Sequence, residues 1–446
     1  MPQVHPFRAL QYSRGVGEVS AMIAPPYDVL DAEGKARLIS RDPRNIVGAD
    51  LPHVPAKQLG PAEAYARAGA LVERWVAEGV LSRSDRPAFF AYRQTFHWNG
   101  KPTDRCGMIC TLDVHPFGKR PGGGILPHEQ TFSGPKEDRL ALMKATRCQL
   151  SPIFGLHADE AGTASGLVRR VMASRAPDMH ARSDDGVRHE VWRIDDEGII
   201  GEYRRALDGE DVFIADGHHR YNTALNYLAW LESQGSVPAD HPARKCMFVM
   251  VGMSDPGLVI GPTHRVLGGM REYSFDAFLS ASSQHLRFEP ISGDLAALER
   301  AIHDVKGMDE NRLGVYDMAT KRCMIAVPAT PDPLAKAFGD KPRAWRTLDV
   351  ALIQHMIVEQ ICQPKLNGGQ PVTWAFPHTL AEVLEIASGK ETGSGGGAGF
   401  AQLAVIVRPT PLEAVKEICL AGELMPQKST FFLPKLATGI ALNPLA

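Results

Sequence analysis

Five consecutive residues carry most of the chemistry that the sequence offers. Asp216-Gly217-His218-His219-Arg220 directly follows the short apolar run Val212-Phe213-Ile214-Ala215. Tyr221, Ala224, Leu225, Leu228 and Leu231 then recur on one face of a helix, so the five sit where a strand passes into an amphipathic helix. The first turn of a helix leaves backbone N–H groups without intrahelical partners and carries partial positive charge, which suits an anion. Gly217 lets the backbone approach a ligand closely. His218, His219 and Arg220 add side-chain donors, and Asp216 can bind a metal such as Mg²⁺, cap the helix or orient a histidine. The spacing suits phosphate binding with a histidine at hand for proton transfer. The plain alternative is an aspartate that caps the helix, with both histidines on its exposed side.

Three other stretches share this cationic, loop-to-helix character. The segment from His128-Glu129 to Lys136-Glu137-Asp138-Arg139 offers a His–Glu pair, then Lys136 and Arg139 three apart on one helix face. His264-Arg265 follows an apolar run. Met425 to Lys435 contains Lys428-Ser429-Thr430, which ends like a phosphate loop but lacks the upstream Gly-x-x-x-x-Gly-Lys, so it is not a Walker motif. Hydroxyls beside a lysine still suit a phosphate or a carboxylate. No Gly-x-Ser-x-Gly, His-Glu-x-x-His or Gly-x-Gly-x-x-Gly occurs, which removes the usual marks of serine hydrolases, zincins and dinucleotide binders.

These residues need a scaffold, and its pattern is mixed. A helix is expected from Ala62 to Glu78, stopped by Gly79. Asn99-Gly100 between Ala88–Trp98 and Lys101–Val114 predicts a hairpin closed by a type I′ turn. Ser133-Gly134-Pro135 opens a helix. Further hairpins are expected for Cys246–Met253 with Leu258–Ile260, around Ser254-Asp255-Pro256-Gly257, and for Leu313–Tyr316 with Arg322–Val327. Helices follow near Asp349–Ile361 and Leu380–Ala387, and a buried strand at Phe400–Val407. Thr410-Pro411-Leu412-Glu413 reads as a capping box before a helix to Leu420. Gly389–Gly399 reads as a flexible linker. Hairpins mixed with strand–helix units make the fold class α/β mixed (α+β). Three regions follow in order: an N-terminal one over residues 1–150, a central one over 151–330 carrying the Asp-Gly-His-His-Arg loop, and a C-terminal one over 331–446.

The composition narrows the function classes. The 446 residues carry 49 Lys+Arg against 51 Asp+Glu, a formal net charge of −2, which argues against a dedicated nucleic-acid binder. No apolar run reaches the ~18 residues of a membrane span, and the N-terminus shows no export pattern. Seven scattered cysteines fit free buried thiols in a reducing cytoplasm. Gly (42) and Pro (33) exceed the usual share, so either the protein is rich in loops or its loops do the chemistry.

The motifs in order resemble those of a protein family, domain-of-unknown-function family 1015. They are Pro25-Pro26-Tyr27-Asp28-Val29, Asn45-Ile46-Val47, His128-Glu129 with Ser133 to Arg139, Ser151-Pro152-Ile153-Phe154, Ala215 to Tyr221, His264-Arg265 and Met425 to Lys435. Members are often labelled ParB/Spo0J-like, because Asp-Gly-His-His-Arg is similar to the Gly-x-x-Arg loop of the ParB/sulfiredoxin superfamily. That resemblance implies a ParB/sulfiredoxin-like core in which Gly217, His219 and Arg220 hold nucleotide phosphates. The sulfiredoxin cysteine is replaced by His218. It also implies a small-molecule substrate, with serine or phosphoserine leading, and a nucleotide, ATP or ADP. The resulting expectation is a cytoplasmic phosphotransferase or phosphohydrolase. In it Asp216 or His218 moves a proton or holds Mg²⁺, while His128, Glu129, Lys136, Arg139, His264, Arg265, Lys428, Ser429, Thr430 and Lys435 bind the substrate. The alternatives are a nucleotide-binding regulatory protein without turnover, and a DNA-partitioning adapter.

Overall fold

The computed structural model describes residues 3–131, 133–303, 311–390 and 395–446, with Ser133 through its backbone alone. Two compact units emerge. The first joins Met1–Val259 to Phe432–Ala446, and the second is Ile260–Phe431.

The first unit is organised by a nine-stranded mixed sheet. Its strands are β1 (Val4–His5), β2 (Phe89–Trp98), β3 (Lys101–Asp113), β4 (Ile125–Leu126), β5 (Ile153–His157), β6 (Met179–Arg182), β7 (Arg188–Ile194), β8 (Val212–Asp216) and β9 (Lys245–Gly252). The spatial order is β4-β8-β5-β9-β3-β2-β7-β6, with β1 also on β3. The β2–β3 hairpin forms as its sequence demands. Asn99 and Gly100 both take positive φ, 49° and 73°, and Trp98 pairs with Lys101. The strand pair β8–β4 is parallel, as is β9–β5, whereas β8–β5 is antiparallel.

Three helices matter for the site: α1 (Ala62–Ala77), α2 (Ser133–Thr146) and α3 (His218–Gln234). The α3 residues Tyr221 and Ala224 join Met108, Leu112, Ile153 and Phe248 in one apolar cluster. Tyr65 and Trp75 of α1 pack with Leu142 of α2 and with Tyr12, Met22 and Leu442 in another. The mixed α/β class is therefore observed.

The second unit carries a six-stranded sheet of β10 (Arg265–Gly268), β11 (Leu286–Ile291), β12 (Leu313–Asp317), β13 (Cys323–Pro328), β14 (Thr373–Ala375) and β15 (Ala401–Ile406), ordered β11-β13-β12-β15-β10-β14. The β12–β13 hairpin is the one expected from sequence. Helices α4 (Leu295–His303), α5 (Leu380–Ala387) and α6 (Leu412–Leu420) belong to this unit. The helix expected from Asp349 starts there, but its stretch Ile353–Cys362 is wound as a π-helix.

Two local expectations are corrected. No hairpin joins β9 to the stretch after Gly257, because both edges of β9 are taken by β3 and β5. No capping box opens α6: Pro411 holds the N-cap position, and the Thr410 hydroxyl donates instead to the Ser429 carbonyl at 2.6 Å. The boundaries read at 150 and 330 fall inside the two units. Residue 150 precedes β5 of the same sheet that holds β3, and residue 330 follows β13, which pairs with β12. Part of Gly389–Gly399, residues 391–394, lies outside the described residues.

Candidate functional site

Strand β8 ends on Asp216, and Gly217 turns the chain into α3 with φ of 99°, a backbone state that favours glycine. Gly217 occupies the N-cap position and no side chain caps the helix. Asp216 is therefore not the cap. Its Oδ2 lies 3.1 Å from Lys435 Nζ and 3.6 Å from the Arg220 guanidinium. Arg220 also donates through Nη1 to the Pro152 carbonyl, which ties the loop to the start of β5.

Burial by itself would raise the Asp216 pKa. Lys435 and Arg220 overcome that and hold the carboxyl far below the usual carboxylate range, so it is ionised. The site is sheltered but open, with about a quarter of the Asp216 and Lys435 side chains exposed.

His218 is buried rather than exposed. Its Nε2 accepts the His128 backbone N–H at 3.2 Å, and the two imidazoles meet edge to face with centroids 4.6 Å apart. Burial, with His128 beside it, pushes the His218 pKa well below the ordinary histidine value. A neutral ring whose Nε2 accepts must carry its proton on Nδ1, so His218 is a donor and its second nitrogen is already engaged. Burial lowers His128 in the same direction. His219 is half-buried, and its carbonyl accepts the Thr223 hydroxyl at 2.8 Å. Glu129 is half-buried in the loop after His128.

A second layer lies behind Arg220. Arg139 donates to the Asp50 carbonyl at 2.6 Å, pairs with the Asp138 carboxylate at 2.8 Å and lies 3.9 Å from the Tyr27 ring centroid. Asp138 in turn accepts the Tyr65 hydroxyl at 2.8 Å and pairs with His53 at 2.9 Å. The Ser151 hydroxyl donates to Asp50 at 3.1 Å. Burial raises the Asp50 pKa, partly offset by Arg139. Tyr27, Asp50, Arg139, Ser151 and Arg220 line a cavity of about 40 Å³, far below the ~300–1,000 Å³ of small-molecule pockets. Arg139 thus supports the site from behind and is committed to aspartates. Lys136 is half-buried on the same helix.

The remaining predicted residues belong to the second unit. Arg265 is 2% exposed and donates to the carbonyls of Thr263, Gln427 and Lys428 at 2.6, 3.1 and 3.1 Å. His264 Nδ1 accepts the Val407 N–H at 3.3 Å. Ser429 is buried with its hydroxyl on the Pro426 carbonyl, Lys428 is exposed with φ of 57°, and Thr430 is half-buried. The structure therefore joins Asp216, Gly217, His218, Arg220, His128 and Lys435 in one place, and Arg265 with the Lys428 backbone in another. Gln94, Arg105 and Asp50 carry no motif that singles them out in the sequence, and Ser151 reads only as part of a family motif.

Among the described residues no group of three or more His, Cys, Asp or Glu is arranged to hold a metal ion. All seven cysteines are buried, and none forms a disulfide. No helix is long and apolar enough to cross a membrane, again among the described residues.

A family model described as "Protein of unknown function (DUF1015)" matches residues 4–351. The chain belongs to this family. The matched span includes the Asp216–Arg220 loop, whereas Lys435 lies beyond it. A search of the curated proteins returns no match. Similar solved structures include a free serine kinase in complex with AMP, 12% identical with a TM-score of 0.31, covering 71% of this chain and 89% of that one. A conserved hypothetical protein from Pyrococcus furiosus is 12% identical with a TM-score of 0.29, covering 72% and 93%. SbnI with a C-terminal truncation, from Staphylococcus aureus, is 8% identical with a TM-score of 0.33, covering 74% and 85%. None of these three is described as a ParB or sulfiredoxin protein.

Proposed function

We propose that the protein holds a phosphate group at the start of α3 and acts as a phosphotransferase or phosphohydrolase on a small metabolite. One observation carries this reading. Arg220 and Lys435, on segments far apart in sequence, converge on one carboxylate at the mouth of a 17-residue helix. Two cations facing one carboxylate sit at a helix start, whose dipole favours an anion. Phosphoryl transfer asks mainly for positioning and charge stabilisation, which such a mouth supplies.

Ionised Asp216 can accept the proton of an attacking hydroxyl or contact a divalent cation. Mg²⁺ would have this one carboxylate plus phosphate oxygens and water, its usual ligand set, and would neutralise phosphate charge when bound. Neutral His218 offers a hydrogen bond from its Nδ1–H rather than a proton, its Nε2 being engaged by the His128 N–H. Gly217 keeps the helix mouth free of a side chain, and His219 and Arg220 complete a loop similar to the phosphate loop of the ParB/sulfiredoxin superfamily. Serine or phosphoserine as substrate, ATP or ADP as nucleotide and a cytoplasmic setting complete the proposal, the last in keeping with seven buried cysteines that form no disulfide.

A second reading, nucleotide binding without turnover, is favoured by a specific observation. Asp216 is doubly paired and His218 is held neutral, so neither titrates near pH 7, where a general base works best. Phosphate release from ATP or ADP, with and without serine, separates the two. Turnover lost in Arg220→Ala supports the enzyme. A nucleotide that binds and is recovered unchanged supports the regulatory reading. No binding of either nucleotide, or of phosphate, overturns both.

A further inference from the structure

Gln94 of β2 and Arg105 of β3 are direct partners across the Asn99-Gly100 hairpin. Both are 1% exposed. Among the described residues no carboxylate lies within ion-pair distance of Arg105, and burial lowers its pKa to about 10. Its guanidinium is instead spent on carbonyls. Nη1 donates to Leu433 O at 2.8 Å, and Nη2 is shared between Pro434 O and Gln94 Oε1. Gln94 Nε2 then donates to Lys435 O at 3.0 Å.

Three consecutive carbonyls, those of Leu433, Pro434 and Lys435, are therefore gripped by one cross-strand pair. The grip is braced from the side. The Arg105 guanidinium lies 4.5 Å from the Phe154 ring centroid, and Phe154 meets Phe432 edge to face at 5.7 Å. Burying a cation without a counter-ion costs several kcal/mol, and an apolar pair would fill the same space more cheaply. What the polar pair adds is direction, because a planar fork fixes where each carbonyl must lie. The last gripped residue is the one whose ammonium lies 3.1 Å from Asp216.

We infer that Gln94 and Arg105 are positioning residues that aim Lys435 at Asp216 and so set the charge of the α3 mouth. Only the consequence for ligand affinity rests on the proposed phosphate site; the aiming itself is a property of the fold. The tail has other anchors, the Thr438–Ala24 and Leu442–Leu10 bridges, so weakening the grip leaves it attached.

The test labels lysines of the full chain by reductive methylation and reads each site by mass spectrometry. In Arg105→Gln, Lys435 is expected to react about fivefold faster, the factor for ~1 kcal/mol of lost restraint, while Lys101 and Lys245 keep their rates. Gln94→Glu gives Arg105 a buried partner but withdraws the donor to Lys435 O, and a ~2-fold acceleration is expected. A folded Arg105→Gln with unchanged Lys435 labelling overturns the inference. If that variant does not fold, unchanged labelling in Gln94→Glu does the same. Affinity for pyrophosphate and ADP, measured on the same proteins, gives a second arm. A wild type that binds neither probe defeats the phosphate reading and leaves the labelling to decide the aiming. Binding that weakens together with faster Lys435 labelling supports both.

Discussion

Arg220 and Arg265 look alike in sequence, each following a histidine at the end of an apolar run, yet the fold uses them in opposite ways. Arg265 spends its guanidinium on three carbonyls inside the second unit and lies 5.1 Å from the Phe376 ring centroid. Arg220 spends one nitrogen on Pro152 O and turns another toward Asp216 at a partly open helix mouth. Carbonyls are fixed, neutral partners that no ligand replaces, whereas a carboxylate facing two cations can exchange partners with an incoming phosphate. One arginine is a fastener and the other a contact.

The largest expected effect tests the fastener. Arg265→Ala removes a buried guanidinium together with its bonds to three carbonyls and should destabilise the second unit by about 3–5 kcal/mol, read by urea unfolding. A loss under ~1 kcal/mol would erase the distinction. Arg220→Ala should do the converse, costing about 1–2 kcal/mol of stability but weakening pyrophosphate or ADP binding at least ~10-fold. Binding measured by calorimetry that stays unchanged would move Arg220 into the fastener class.

Acid separates the two regions further. Burial, with His378 and Arg265 nearby, lowers His264 to about 3, while Glu299 lies 4.0 Å from its Nε2. Its folded value lies below the ordinary ~6.5, so its contribution is complete above that pH. It is lost as pH falls toward 3, at up to about 1.4 kcal/mol per pH unit. His157 and His189, each lowered to about 4 by burial, act in the same sense in the first unit. Asp216 is also depressed, so its share is lost only below the unfolded carboxyl value of ~3.9. Melting temperature against pH should thus fall from pH 6.5 downward, and His264→Phe should flatten the second unit's part of that slope. The smallest effect concerns Lys428, whose φ of 57° strains a non-glycine residue. Lys428→Gly should raise stability by about 0.5–1 kcal/mol, and a loss instead would show that the Lys428 side chain carries structural weight.

Local chemistry made much of this legible from sequence. Asn99-Gly100 dictated the hairpin, and the same two-residue turn sets Gln94 opposite Arg105, a pairing that could have been read but carried no motif to draw attention. The strand-to-loop-to-helix step at Asp216–Arg220 was also readable. The partners were not. Lys428 and Lys435 lie seven residues apart in similar surroundings, and only the chain's return to the first unit at Phe432 separates an exposed turn residue from the cation beside Asp216. The capping box at Thr410 failed because Pro411 took the N-cap position and the threonine found a distant carbonyl. Arg139 read as a substrate-binding cation because nothing local announces Asp50.

The return of the chain at Phe432 also sets an order of events during synthesis. Ile260–Phe431 is complete as a unit before the last residues emerge, so the part made second can finish first. The Asp216 loop, by contrast, must wait through roughly two hundred further residues for Lys435. Until then its carboxylate faces Arg220 alone, and the helix mouth is a half-built site on an otherwise advanced nascent chain.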